Sequence, residues 1–277
     1  MSKVSFIDKR VRSEFLKIIS VLSTVISLIV LFVDIPKEDK VAYGFCFIGV
    51  LFIIYVLKWY TSNNLNEIEV NIEESSVVIK VGDIFLQDGW KVIAFNEYFD
   101  TLVDNKVIAS SSLNGIFINK CFSNDVAALD QHIEQYDFDD AFLDDNLSRK
   151  SGKSKRYKLG TICVYNDFIM TAFTKFDKDN KAVITMPEYL EFLINFWDKV
   201  NIIYAQQSVS TPIFGSGITR INGHRSITDE DLLKIMLWTF RISEMRFKKP
   251  AKLNIIIHES KIDRINLLDI KSSNNGL

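Results

Sequence analysis

Proline and glycine are scarce, with 4 and 11 positions among 277 residues. A chain so poor in both, and 48% hydrophobic, is neither collagen-like nor a disordered low-complexity polymer. Cysteine is scarcer: Cys46, Cys121 and Cys163 have no close spacing, which excludes a disulfide scaffold. There is no basic excess either. Lysine plus arginine number 33 against 35 aspartates and glutamates, a net charge of −2, which argues against a dedicated nucleic-acid binder. No lysine follows a glycine loop as a Walker motif requires, and no Gly-x-Ser-x-Gly elbow occurs. His132, His224 and His258 lack cysteine partners at zinc spacing and read as surface or packing residues, so no metal is expected. No internal repeat is visible.

What is abundant is apolar sequence near the start. Residues 15–33 carry one charge, Lys17, and residues 41–57 carry none. About 20 apolar residues cross a bilayer and roughly 17 is the lower limit. Residues 34–40 form a short polar turn between the runs, and Lys58, Trp59 and Tyr60 suit a headgroup layer. The reading is a transmembrane hairpin within residues 1–60. A signal peptide fits less well, because the first run is long, lacks a small-residue cleavage site and is followed by a second. Lys3, Lys9, Arg10 and Arg12 outnumber Lys37 and Lys40, which puts both ends on the cytoplasmic side. Unpaired Cys121 and Cys163 fit that compartment. Ser20, Ser23, Thr24 and Ser27 make one stripe on the first helix, suited either to an oligomer seam or to packing within the hairpin against Gly44 and Gly49.

After a polar linker, 61–67, the pattern changes. Residues 68–72 and 77–81 alternate as a strand hairpin, and 91–95 reads as a buried strand. Residues 125–135 suggest a helix. The acidic stretch 137–145 and the basic stretch 149–158 suggest a solvated loop, with a partner site as the other reading. Runs 161–173 and 182–185 are strand-like. Asp177, Asp179 and Glu188 fall at calcium-loop positions, but Lys181 and Ala182 replace a ligand and the glycine, so 177–180 reads as a turn. Helices are expected from Pro187, with Tyr189, Phe192, Leu193, Phe196, Val200, Ile203 and Tyr204 on one face, and from Thr228 to about Met245. Residues 253–258 make a last strand before a helical tail. Alternating strands and helices indicate an α/β layer fold.

Three segments carry candidate chemistry. Gly82-Asp83-Ile84 ends a strand. Ser110-Ser111-Ser112-Leu113-Asn114-Gly115 is a small, hydroxyl-rich turn. Pro212-Ile213-Phe214-Gly215-Ser216-Gly217-Ile218 lies between a strand and a helix, where glycines let backbone N–H groups approach a phosphate. Alone, the last is equally an ordinary turn. Together, over residues 68–277, they resemble the macro domain, an ADP-ribose-binding module with a three-layer α/β/α fold and a mixed sheet. The resemblance implies that Asp83 and the Ile84 backbone hold adenine. It implies that Phe214, Gly215, Ser216, Gly217 and Ile218 hold the diphosphate, and that Ser111, Ser112, Leu113, Asn114, Gly115 and Asn96 border the distal ribose. His258 could border the adenine. Hydrolytic members carry glycines and an acid where this chain has Ser110–Ser112 and Asn114, so a binding module is expected rather than an enzyme, with no cofactor beyond the nucleotide ligand.

A macro domain behind a two-helix hairpin, with Asn96-Glu97-Tyr98-Phe99-Asp100 after the second strand, resembles the membrane effectors of type II Thoeris antiphage systems. That resemblance implies an inner-membrane protein whose macro domain faces the bacterial cytoplasm. It implies a partner TIR-domain enzyme that makes an ADP-ribose derivative, described for the family as a histidine conjugate. It also implies activation as a homo-oligomer that damages the lipid bilayer. A membrane-tethered ADP-ribosyl hydrolase and a static adaptor for ADP-ribosylated protein remain open at this point.

Overall fold

The computed structural model describes residues 3–33, 36–177, 179–223 and 226–273. In chain order the elements are α1 (Lys9–Val30), α2 (Lys40–Asn63), β1 (Glu67–Ile72), β2 (Ser75–Val81), β3 (Trp90–Asn96), α3 (Leu113–Cys121), α4 (Val126–Gln135), β4 (Phe142–Asp145) and β5 (Lys155–Tyr157). There follow β6 (Ile162–Tyr165), β7 (Phe168–Phe176), β8 (Ala182–Thr185), α5 (Met186–Ile203), β9 (Val209–Pro212), β10 (Arg220–Asn222), α6 (Asp229–Ile242), β11 (Leu253–Ile257) and α7 (Leu267–Ser273). They form two compact units. One holds Glu67–Arg264; the other holds the described residues of 3–66 together with 265–273. Residues 34–35 of the expected turn, Lys178, His224 and 274–277 lie outside the described residues.

In the hairpin unit, α1 and α2 contain 22 and 24 residues, about 33 and 36 Å at 1.5 Å per residue. Both are long and apolar enough to cross a membrane. The second helix continues to Asn63, so residues 61–63 of the expected linker are helical. At one end of the hairpin the indole of Trp59 donates to the Val4 carbonyl at 3.0 Å, the Tyr55 hydroxyl donates to the Phe6 carbonyl, and Lys58 pairs with Glu14 at 3.1 Å. Here α7 joins: Leu268 packs with Val4 and Val11, and Asp269 pairs with Arg10. The start of the chain and its last helix thus share one end of the hairpin. Ser20, Thr24 and Ser27 are exposed and Ser23 is half-buried. A methyl group on Gly44 or Gly49 would meet nothing within 4 Å, so the stripe does not seat on those glycines.

The other unit is built on one mixed sheet in the order β1-β2-β11-β9-β3-β7-β8-β10, with β6 paired to β7. Strands β2, β11, β9, β3 and β7 are mutually parallel; β1 runs antiparallel to β2, and β6 and β8 run antiparallel to β7. Alternation along the strands feeds two cores. Ile93, Phe95, Met170 and Ala172 pack with Phe117 and Ile118 of α3 and Leu129 and Ile133 of α4. Phe173 turns the other way, onto Phe192 of α5 at 4.8 Å and Phe214 at 5.4 Å. Helices α5 and α6 complete that layer, and the Trp197 indole donates to Thr239 at 3.2 Å. The mixed sheet between two helical layers is the expected three-layer arrangement.

Three local expectations change. The charged 137–158 segment is exposed but is not an irregular loop: β4 and β5 form an antiparallel ribbon whose opposite charges face each other, with Arg156 and Asp144 at 2.6 Å. The run 161–173 is two strands, β6 and β7, hinged at Asn166 with φ 51°, a conformation asparagine tolerates. The glycine loop after β9 leads first into the short strand β10, parallel to β8, and only then into α6.

Candidate functional site

Ligands of open α/β sheets lie beyond the carboxyl ends of the strands. Four adjacent parallel strands, β2, β11, β9 and β3, end together at one edge here and deliver Gly82-Asp83, His258, the Pro212–Ile218 segment and Asn96. Two cavities open there. The first, about 600 Å³, is lined by Asp83, Ile84, Phe85, Lys120 and His258. The second, about 770 Å³, is lined by Asn96, Ser112, Asn114, Phe214, Gly215, Ile218 and Asn180 among others. Ser111, Leu113, Pro212, Ile213, Ser216 and Gly217 line both, so the glycine loop and the start of α3 form the shared waist of one cleft.

The waist is held from below. Phe214 is buried against Phe192 and Phe196 at 4.9 and 5.1 Å, and the buried Tyr189 hydroxyl donates to its carbonyl at 2.9 Å. Burial pushes the Tyr189 phenol far up, so it stays a neutral donor. Gly215 takes φ +84°, where a side chain is strained, and turns the loop. The Ser216 hydroxyl donates to the Ile213 carbonyl at 2.8 Å. Lys261 donates to the Ser216 carbonyl at 2.7 Å and stands 3.7 Å from Asp229, which brings a cation to the loop. Gly217 faces open space, so a ligand can reach its backbone.

In the first chamber Asp83 uses one oxygen to cap the 3₁₀ turn Ile84–Leu86, accepting from Phe85 N–H at 2.9 Å. Its other oxygen is 3.5 Å from Lys120, which also lies over the Phe85 ring at 4.5 Å. His258 lines this chamber and its Nδ1 lies 2.9 Å from the Ser260 hydroxyl.

In the second chamber the side chains are largely committed to the protein. Asn96 donates to Asp100 at 3.0 Å and accepts from Tyr98 N–H at 2.9 Å. Ser112 caps α3, and its hydroxyl lies 2.7 Å from the Asn114 side-chain oxygen. The only carboxylate lining this chamber among the described residues is Asp179, 3.7 Å from Lys181. Beside the chamber Glu97 is 2% exposed, and burial pushes its carboxyl up.

Of the residues expected from sequence, the cleft brings together all but Gly115. That glycine is buried, and a methyl group on it would sit 2.2 Å from the Ala109 carbonyl, so it permits close packing inside the fold rather than contact with a ligand. Sequence reasoning missed Phe85, Lys120 and Lys261 on one side and Asn105, Lys106, Asn180 and Lys181 on the other. None belongs to a motif. Each reaches the cleft through the fold alone.

The family described as "Thoeris protein ThsA, Macro domain" matches residues 77–258. Thoeris protein ThsA of Bacillus amyloliquefaciens (strain Y2) is 37% identical over 278 residues, covering 98% of this chain and 92% of that protein. Among solved structures, a point mutant of the Oceanobacillus iheyensis macrodomain aligns over 77% of this chain and all of its own, with a TM-score of 0.46 and 14% identity. The same macrodomain with ADP aligns over 76% of this chain and 95% of its own, with a TM-score of 0.45 and 15% identity.

Proposed function

The chain belongs to the Thoeris ThsA macro-domain family, and from that premise we propose that it is a membrane-anchored antiphage effector whose cleft senses an ADP-ribose-type nucleotide. The observation that carries this reading is the two-chambered cleft pinched at a glycine loop. Adenine enters the first chamber beside Asp83, the diphosphate crosses the waist over Gly217 with Lys261 nearby, and the distal sugar enters the second. Backbone N–H groups and a cation at such a waist suit a diphosphate. On the resemblance to Thoeris effectors we assign the histidine conjugate made by a TIR-domain enzyme as the signal; the second chamber, about 770 Å³, has room for a group beyond the ribose.

The protein recognises rather than hydrolyses. Ser112, Asn114 and Asn96 are engaged in capping and turn hydrogen bonds, and the lining carboxylate Asp179 is beside Lys181, so the chamber offers little to activate water. The hairpin sits in the bacterial inner membrane with the sheet unit in the cytoplasm, where a soluble signal can reach the cleft. Binding acts by favouring the assembled state over the resting one. The exposed Ser20/Thr24/Ser27 stripe is the surface on which hairpins re-pack, and the assembled spans damage the bilayer.

Calorimetry of full-length protein in detergent with ADP-ribose and its histidine conjugate tests this. Asp83→Ala should weaken binding by about 1.5–3 kcal/mol, the usual range for a hydrogen bond to a charged group. Gly217→Glu should do more, by placing bulk and negative charge against phosphate. If both variants bind like the parent, the cleft is not the site. Rapid ligand turnover that vanishes in an Asn96 or Asn114 variant would make the protein a hydrolase.

A further inference from the structure

Beneath the second chamber lies a buried ion pair, Asp100 with Arg149, a residue that belongs to no motif. Asp100 is 0% exposed and receives four donors: Arg149 Nη1 at 3.0 Å, Arg149 Nη2 at 2.6 Å, Lys153 N–H at 2.7 Å and Asn96 Nδ2 at 3.0 Å. Arg149 comes from the connection between β4 and β5. Its guanidinium lies 4.0 Å over the Tyr98 ring and 5.5 Å from that of Phe176. Gly152, at φ +90°, closes the approach: a methyl group there would sit 2.6 Å from Asp100 Oδ1 and 2.7 Å from Arg149 Nη1. The same guanidinium reaches outward, with Nε and Nη2 donating to the Asn180 side-chain oxygen at 3.2 and 2.9 Å.

Asn96 and Asn180 are on two separate walls of the second chamber, one at the end of β3 and one in the turn between β7 and β8. Arg149 lines neither cavity yet joins both walls through one planar fork. With Oδ1 of Asn180 occupied, the group Asn180 can offer a ligand is its Nδ2 donor, which suits a sugar oxygen.

We infer that Arg149 is a positioning residue that clamps Asn180 to the Asn96–Asp100 turn and so sets the selectivity of the second chamber for a nucleotide carrying a sugar beyond its diphosphate. The inference rests on the ADP-ribose reading of the cleft and adds a residue that touches no ligand itself. Lysine cannot replace it, because a point charge cannot hold Asp100 and Asn180 in one fork.

The test is titration of full-length protein in detergent with two probes, ADP and ADP-ribose, alongside thermal unfolding. ADP fills the first chamber and the waist only, so it reports on the fold and the loop but not on the clamp. Arg149→Met and Arg149→Lys should lose about tenfold or more in affinity for ADP-ribose, while affinity for ADP changes by less than about threefold. A merely structural role would lower both together. Asn180→Ala keeps the buried ion pair and removes only the clamp's outer end; it should show the same selective loss with little change in melting temperature. Because one residue acts through the other, the double variant should bind ADP-ribose no more weakly than Arg149→Met alone. If Arg149→Met does not fold, Asn180→Ala decides, and unchanged discrimination in that variant overturns the clamp. Equal losses for both nucleotides, or additive losses in the double variant, overturn it too. Wild-type protein that binds neither nucleotide removes the underlying reading and the clamp with it.

Discussion

Helix α2 is 24 residues long and buries none of them, whereas α5 is 18 residues long and buries six, among them Tyr189, Phe192, Phe196 and Trp197. The two differ in where their apolar residues point. The large ones of α5 gather on one face against Phe173 and Phe214, and the other carries charged residues such as Glu191 and Lys199 with only Ile194 and Ile202 exposed among them. Those of α2 run all the way round, with Val41, Phe45, Phe52 and Leu57 each more than half exposed. A helix apolar on every side needs an apolar surrounding, which a protein core or a bilayer can supply. The fold covers α2 only near its last turns, where Tyr55 and Trp59 pack against Val4, Val11 and Leu268. The ends differ as well. Helix α5 starts with Thr185 and Glu188 capping each other's backbone N–H groups, while α2 starts at Asp39 with no side-chain cap.

The largest consequence is for side-chain truncation. Phe192 is fully buried among Phe173, Phe196 and Phe214. Phe192→Ala should cost about 3–5 kcal/mol through lost transfer energy and a residual cavity. Phe52 is 62% exposed, and Phe52→Ala should change the unfolding of the sheet unit by less than about 0.5 kcal/mol. Thermal and denaturant unfolding in detergent reads both. A comparable loss at the two positions would mean that α2 is a core helix and not a span.

How much of this was legible varied with the range over which the signal acts. The two long apolar helices, α1 and α2, were legible because an apolar run reports its own surroundings. The starts of α5 and α6 were legible because capping is local: Pro187 and Glu188 follow Thr185, and Asp231 follows Thr228 with a reciprocal bond. The cleft was legible where backbone conformation is at stake, at Gly82-Asp83 and Gly215-Ser216-Gly217. It was illegible at Gly115, which reads as a loop glycine but exists to meet the Ala109 carbonyl. The break between β6 and β7 was hidden because Asn166-Asp167 is a two-residue turn inside an apolar run. The Arg149–Asp100 pair was hidden by distance, 49 residues, since nothing near either residue announces the other. The charged segment read as an irregular loop for the same reason, as its partners lie across a ribbon and not along the chain.

A smaller effect follows from the cap on α5. Burial alone would raise the Glu188 carboxyl, but the hydrogen bonds from Lys175, at 2.6 Å, and from Thr185 outweigh it and hold the group at about 2, against an ordinary 4.5. A depressed carboxylate pKa contributes stability that is fully present above the unfolded value and is lost as pH falls through the folded one. The contribution therefore disappears between pH 4.5 and about 2. Lysine 175 is 43% exposed, so solvent screening limits the expected size to about 1–2 kcal/mol. Glu188→Gln removes the titration. The stability gap between wild type and this variant should be widest above pH 4.5 and close by about pH 2. A gap independent of pH over that window would show that the carboxylate charge contributes nothing.

The smallest effect separates the two helix starts directly. Thr185→Ala removes a side chain that accepts from Glu188 N–H at 3.4 Å and approaches the Glu188 carboxylate at 2.7 Å. Loss of such a cap costs about 1 kcal/mol. Asp39 accepts no hydrogen bond from the first turn of α2, so Asp39→Ala should leave stability within about 0.3 kcal/mol of the parent, below the range expected for a working cap. The reason is physical and not a matter of residue type, since aspartate is as good a cap as threonine when its oxygen reaches the N–H groups. A helix start that ends in water must satisfy those donors with a side chain or with solvent. In α5 the start lies against the sheet, where Thr185 is only half-exposed and the side chain is needed. In α2 the residues around Asp39 are exposed, so water suffices. Equal losses for Thr185→Ala and Asp39→Ala, measured by denaturant unfolding of full-length protein in detergent, would mean that the turn before α2 is shielded from water and that its cap forms in the lipid-embedded protein.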